Sequence, residues 1–149
     1  MQKIPSELYR QILEYLPILC VDLVFFHQGK VLLTYRNDEP AKGKWWIQGG
    51  RVFKGETLQE ALQRKAQAEV GCLIQVIRQI GIYDFRSPVG PFPLKTGVHD
   101  VAIVYLVEPA GVSEVRLNRD HSNFRWITSI EGDLDPYVQQ ILKDAKVWS

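Results

Sequence analysis

One stretch, "QGGRVFKGETLQEALQRKAQAEVGC" at residues 48–72, constrains this chain more than any other. It begins at the end of "KWWIQGG", a short aromatic strand pattern closed by a glycine pair. A helix signal follows: Thr57 with Glu60 forms a capping box, and Gly71 is placed to stop the helix. At ~100° per residue, Leu58, Leu62, Lys65 and Glu69 fall on one side, with Ala61 and Ala68 beside them. Leu58 and Leu62 are the expected inward face, so Glu69 is carried toward the fold. A carboxylate held there needs a partner. It can pair with Lys65 one turn earlier, or it can ligate a metal ion. The loop "GGRVFKGE" brings bare backbone carbonyls to the helix start, and a hard cation takes oxygen ligands of that kind.

The remaining patterns fit around this unit. "PSELYRQILEYLP" predicts a helix over 5–17, with Ser6 as cap, Leu8, Ile12, Tyr15 and Leu16 on one side, and Pro17 ending it. "ILCVDLVFFHQGKVLLTYR" reads as a hairpin turning at Gln28-Gly29. "CLIQVIRQIGIYDF", "HDVAIVYLVEP" and "FRWIT" are further strands, the first two separated by the proline-rich loop "RSPVGPFPLKTG". "DPYVQQILKDA" predicts a closing helix capped by Asp135, with a stripe of Val138, Ile141, Leu142 and Ala145. About six strands with two major helices give an α/β chain of the α+β type, a mixed β-sheet sandwiched between helices.

Composition narrows the function classes. At 149 residues the chain is sized for a single domain, 1–149. Eighteen basic against 17 acidic residues argue against a nucleic-acid or membrane-surface partner. No apolar run reaches the ~18 residues of a membrane span, and "MQKIPSELYR" lacks a signal-peptide centre. Cys20 and Cys72 sit in apolar runs, as reduced core thiols of a cytoplasmic protein do.

Gly50, Glu56, Arg64, Glu69 and Gly71 fall in the frame of the Nudix box: Gly, five of anything, Glu, seven of anything, then Arg-Glu-U-x-Glu-Glu-x-Gly-U, with U aliphatic. The chain resembles the Nudix hydrolase superfamily on these residues. Two box glutamates are replaced, by Lys65 and Ala68, and Cys72 stands at an aliphatic place. A cluster of two or three metal ions is hard to build on such a helix. The same degeneracy marks the GDP-mannose mannosyl hydrolase branch, where water attacks the sugar's anomeric carbon instead of phosphorus. "VLLTYRNDEPAKGKWWIQGGRVFKGETLQEA" and "RDHSNFRWIT" are similar to that branch as well.

That resemblance implies a set of roles. One Mg²⁺, or Mn²⁺ in its place, would be held by Gly49, Glu69 and Asp120. The branch commonly has Gln at the last place, and Asp is the harder ligand. His121 would be the general base. Arg36 and Arg51 would contact the diphosphate and stabilise its departing charge. Arg64 would pair with Glu56 and brace the loop. Asp22, alone in an apolar strand, would either pair with an arginine or touch a sugar hydroxyl. Lys3, Ile4 and Tyr9 occupy the places that receive the nucleotide, Tyr9 either stacking on the base or packing its helix. The branch is dimeric, which places helix 1–17 at a homodimer interface.

The sugar side departs from the branch: Val101 stands where a tyrosine is usual, and "DFRSP" replaces an aromatic-histidine pair. The expected activity is hydrolysis of GDP-mannose or a related GDP-hexose to free sugar and GDP, by single displacement with inversion. The alternatives are a Nudix pyrophosphatase acting at phosphorus, and a nucleotide-binding module without catalysis.

Overall fold

The computed structural model describes residues 3–111 and 123–149. Helix α1 (Ser6–Tyr15) leads into β1 (Ile18–His27), β2 (Lys30–Tyr35), β3 (Trp45–Trp46) and β4 (Gln48–Arg51). Helix α2 (Leu58–Glu69) follows, then β5 (Ile74–Ser87), β6 (Val98–Pro109), β7 (Phe124–Ile127) and α3 (Pro136–Ala145). The result is a mixed sheet with three helices, the α+β arrangement expected. "KWWIQGG" divides at Ile47 into two strands with different partners: β3 pairs β2, whereas β4 pairs β1.

Strand β1 is the axis. One edge runs parallel to β6, from Ile18 opposite Asp100 to Phe25 opposite Val107. The other edge takes β4 antiparallel, with Asp22 opposite Gly49, and then turns into β2. The turn holds Gln28 at φ 52° and Gly29 at φ 79°. Positive φ at both central residues is what a tight hairpin of right-twisted strands requires. Strands β5 and β6 form a long antiparallel pair in which Phe85 faces Asp100.

Pleating sends alternate residues of β1 to opposite faces. Val21, Leu23 and Phe25 pack with Ala61, Leu62, Ala66 and Val70 of α2, all buried. Cys20 and Val24 join Leu13 of α1 and the α3 stripe Val138, Ile141, Leu142 and Ala145 on the other face. Asp22 belongs to this second row, the one charged group between two buried apolar side chains. Leu58 is half-buried against the α2 core as expected, while Ala68 is exposed.

The helix ends follow local chemistry with one exception. Thr57 Oγ1 accepts from Glu60 N at 3.1 Å, and Gly71 at φ 71° closes α2. Asp135 Oδ1 accepts from Tyr137 N at 2.9 Å. Ser6, however, is not the cap of α1: Pro5 holds the N-cap position with no side-chain cap bond, and Ser6 is the first helical residue. Leu8, Tyr15 and Leu16 do share a side, but it faces away from the protein, at 50%, 82% and 58% exposure. Leu13, Tyr9 and Ile12 make the packed side instead. Glu14 Oε1 accepts from Lys95 N at 2.9 Å and Thr96 N at 3.0 Å, so the proline-rich loop is tied down onto α1.

Candidate active site

The strand-end loop before α2 is braced from within. Arg64 Nε donates to Glu56 Oε2 at 2.7 Å, and its Nη2 donates to Glu56 Oε1 at 3.0 Å and to the Arg51 carbonyl at 2.9 Å. Glu56 Oε1 also accepts from Phe53 N at 2.7 Å. These bonds hold the Glu56 carboxyl below its ordinary pKa, the Arg64 hydrogen bond first among the causes. The expected Arg64–Glu56 brace is therefore present, and it fixes the backbone of Arg51.

Glu69 pairs with Lys65, Nζ to Oε1 at 3.0 Å, both side chains about four-fifths covered. Lys65 also lies along the glycine pair: a Cβ on Gly50 would sit 3.3 Å from its Nζ. The corner between Glu69 and the glycine backbone thus already accommodates one positive charge. Glu56 is engaged by Arg64, and among the described residues no group of three or more His, Cys, Asp or Glu could hold an ion. Among the described residues, Glu69 and the glycine carbonyls are oxygen donors of the kind a hard cation takes, and no cluster of carboxylates gathers beside them. Asp120 and His121 lie outside the described residues.

Gly49 is fixed by a close approach. A Cβ there would fall 1.8 Å from Asp22 Oδ1, so the carboxylate lies over the bare Cα and only glycine fits. Burial, then the charges of Asp100 and Glu69, push the Asp22 pKa up to about 7, against the pull of Arg36 and Lys65. The Asp100 carboxyl is likewise raised, chiefly by burial. Among the described residues no hydrogen bond or ion pair engages either carboxylate.

Asp22 and Asp100 open into one cavity of about 300 Å³, together with Arg36, Arg51, Gly49 and Tyr9. Its wall is aromatic. Trp46 stacks on Tyr137 with centroids 5.6 Å apart and planes at 12°, and Phe85 meets both edge-on. Tyr137 Oη is buried with no partner among the described residues. Arg36 is aimed by its own loop, Nε donating to the Pro40 carbonyl at 2.7 Å. A second, open groove of about 710 Å³ is lined by Lys3, Ile4, Leu8, Phe53 and Lys54. Arg51 lines both, its guanidinium 4.7 Å from the Phe53 ring centroid and 5.7 Å from that of Tyr9.

Of the residues singled out from sequence, Asp22, Arg36, Arg51, Gly49 and Tyr9 gather at the cavity, and Lys3 and Ile4 at the groove. Tyr9 faces the cavity and packs edge-on to Phe92 at 6.2 Å. Phe85, part of the "DFRSP" stretch singled out on the sugar side, lines the cavity, whereas sequence reasoning missed Asp100, Trp46 and Tyr137. Asp100 had a legible signal, a charge in the alternating row Val98, Ala102, Val104. Trp46 and Tyr137 carry no such signal, since aromatic residues in a strand and a helix are common in any core. His99 was placed correctly at a strand start, and pairs with Asp84 at 2.8 Å on the face away from the cavity.

A mixed sheet carrying a glycine loop and a braced helix beside an arginine-bearing cavity is the architecture of a Nudix hydrolase domain. The chain belongs to the Nudix family, whose domain description, "NUDIX domain", matches residues 17–144. Members of this family act on nucleotide derivatives and generally use a divalent metal such as Mg²⁺. It is 31% identical over 140 residues to the low-salt glycan biosynthesis protein Agl8 of Haloferax volcanii, covering 94% of this chain and 89% of that one. An ADP-ribose pyrophosphatase of Methanocaldococcus jannaschii is 32% identical over 97 residues, 64% of this chain and 53% of that one. The crystal structure of a MutT NUDIX hydrolase from Burkholderia pseudomallei superposes with TM-score 0.70 at 23% identity, covering 87% of this chain and 98% of that one, which shows the shared fold.

Proposed function

We propose that this Nudix hydrolase cleaves a nucleotide sugar, GDP-mannose or a related GDP-hexose, at the sugar's anomeric carbon, releasing free sugar and GDP. The carrying observation is Arg51, shared by the open groove and the aromatic cavity. A base in the groove, a diphosphate across Arg51 and Arg36, and a sugar in the cavity follow in the order of the substrate's own parts. The similarity to a glycan biosynthesis protein supports a sugar-bearing substrate. The loss of two box glutamates, to Lys65 and Ala68, supports attack at carbon rather than phosphorus.

In this reading Arg51 and Arg36 bind the diphosphate oxygens and stabilise the charge that grows as the carbon–oxygen bond breaks. The Arg64–Glu56 brace holds Arg51 in place. Asp22 orients the sugar through a hydroxyl. His121 takes the proton of the attacking water. Glu69, the Gly49 carbonyl and Asp120 would hold one Mg²⁺, which would neutralise the leaving diphosphate. Free, buried Cys20 and Cys72 suit a reducing cytoplasm.

A second reading, pyrophosphatase action at phosphorus, is favoured by the similarity to an ADP-ribose pyrophosphatase. Hydrolysis of GDP-mannose in ¹⁸O-water with Mg²⁺, resolved by phosphorus NMR, separates the two. The expected result is unlabelled GDP and labelled sugar. Label in GMP or in a sugar phosphate replaces this reading with the second.

A further inference from the structure

We propose that the aromatic cavity is a hexose subsite in which Asp100, with the wall of Trp46, Phe85 and Tyr137, decides which sugar is accepted. The inference rests on the nucleotide-sugar reading above and assigns residues that the Nudix frame does not supply. A volume of about 300 Å³ lies at the low end of small-ligand pockets, room for one moiety rather than a whole nucleotide sugar.

The lining specifies that moiety. Asp100 stands between Val98 and Ala102 on β6, opposite Phe85 on β5, with no described hydrogen bond or ion pair. A carboxylate in that position requires donors; none of the described side chains supplies one, and the hydroxyls of a ligand would. Beside Asp100 a phosphate would bring only further acceptors and charge of the same sign, whereas a hydroxyl brings a donor. Asp22 is the second acceptor. It lies four residues further along β1 than Ile18, the residue opposite Asp100, or about 13 Å at ~3.3 Å per residue. The two carboxylates therefore rise from backbone positions offset along the sheet. A purine offers its donors along one edge, whereas a pyranose carries hydroxyls around the whole ring. The stacked Trp46 and Tyr137, with Phe85 edge-on, add an apolar surface for the C–H face of such a ring.

The test uses the full chain, GDP, and the epimers GDP-mannose, GDP-glucose and GDP-galactose. For Asp100→Asn we expect kcat/KM on the preferred epimer to fall roughly 10–100-fold, the effect of removing a charged hydrogen bond. Discrimination among the epimers should flatten, and the Kd for GDP by calorimetry should stay within twofold. Phe85→Leu is the second variant, leaving Asp100 in place, and should show the same selective loss. Unchanged epimer ratios in both variants, with hydrolysis intact, overturn the hexose subsite and leave the nucleotide-sugar reading standing. A loss of GDP affinity as large as the loss of kcat/KM overturns it also, because the base then occupies the cavity. If the parent neither binds GDP nor hydrolyses any epimer, the nucleotide-sugar reading fails and the subsite fails with it.

Discussion

Replacing Asp22 with asparagine tests the electrostatics of the cavity through stability alone. The folded protein holds the Asp22 proton at about 7, against 3.8 for the free side chain. The sign follows from linkage: a raised folded pKa means the folded state binds the proton more tightly than the unfolded chain. The favourable contribution is complete below the unfolded value, falls as pH rises, and is gone above about 7. Three units at about 1.4 kcal/mol each set a ceiling of about 4 kcal/mol. The side chain borders a cavity open to solvent, so we expect about 2–3 kcal/mol in practice. Asparagine has the same shape and no charge. In chelator, Asp22→Asn should therefore be no more stable than the parent at pH 4 and about 2–3 kcal/mol more stable at pH 8. For a chain of this size that is roughly 5–10 °C in Tm. Thermal unfolding by circular dichroism from pH 4 to 8.5 reads it directly. Asp100→Asn removes the second cause of the shift and should move the parent's pH midpoint downward. A Tm difference between parent and Asp22→Asn that is the same at pH 4 and pH 8 refutes the reasoning.

Four further outcomes are expected. Arg64→Lys loses the fork that grips Glu56 and the Arg51 carbonyl together, and should lower kcat/KM at least tenfold with a stability loss of about 1–3 kcal/mol; an unchanged kcat/KM would remove the brace from the mechanism. Lys65→Met frees Glu69, so Mg²⁺ binding measured by calorimetry should tighten several-fold, and weaker binding would show that the ammonium does not compete for that corner. His121→Gln should lower kcat by about 10²–10⁴-fold with metal affinity little changed; activity within twofold of the parent excludes it as the base. The apolar side of α1, Leu8, Tyr15 and Leu16, together with Leu19 at 44% exposure, is expected to lie in a homodimer interface. Sedimentation of a fully active monomer would contradict that.

The sequence by itself determined the local units, because their causes are local. Thr57, Gly71 and Asp135 act within a few residues of themselves, and the α3 stripe repeats at a helical period, so both helices formed where the pattern put them. The box spacing determined which residues would share the α2 corner, and Arg64 found Glu56 as that spacing required. Tertiary packing decided the rest. The orientation of α1 could not be read, because Leu8, Ile12, Leu13 and Leu16 are all apolar, and only the neighbouring strands select Leu13 for burial. Whether Glu69 faced a metal or Lys65 was open on the helix wheel, and the two side chains meet in the folded protein. The cavity was least legible. Asp22, Phe85, Asp100 and Tyr137 come from four separate elements, and only the pairing of β1 with β6 and of β6 with β5 brings them to one wall. Register is a long-range property: a slip of one residue would turn Asp100 to the opposite face and leave the cavity a plain apolar core.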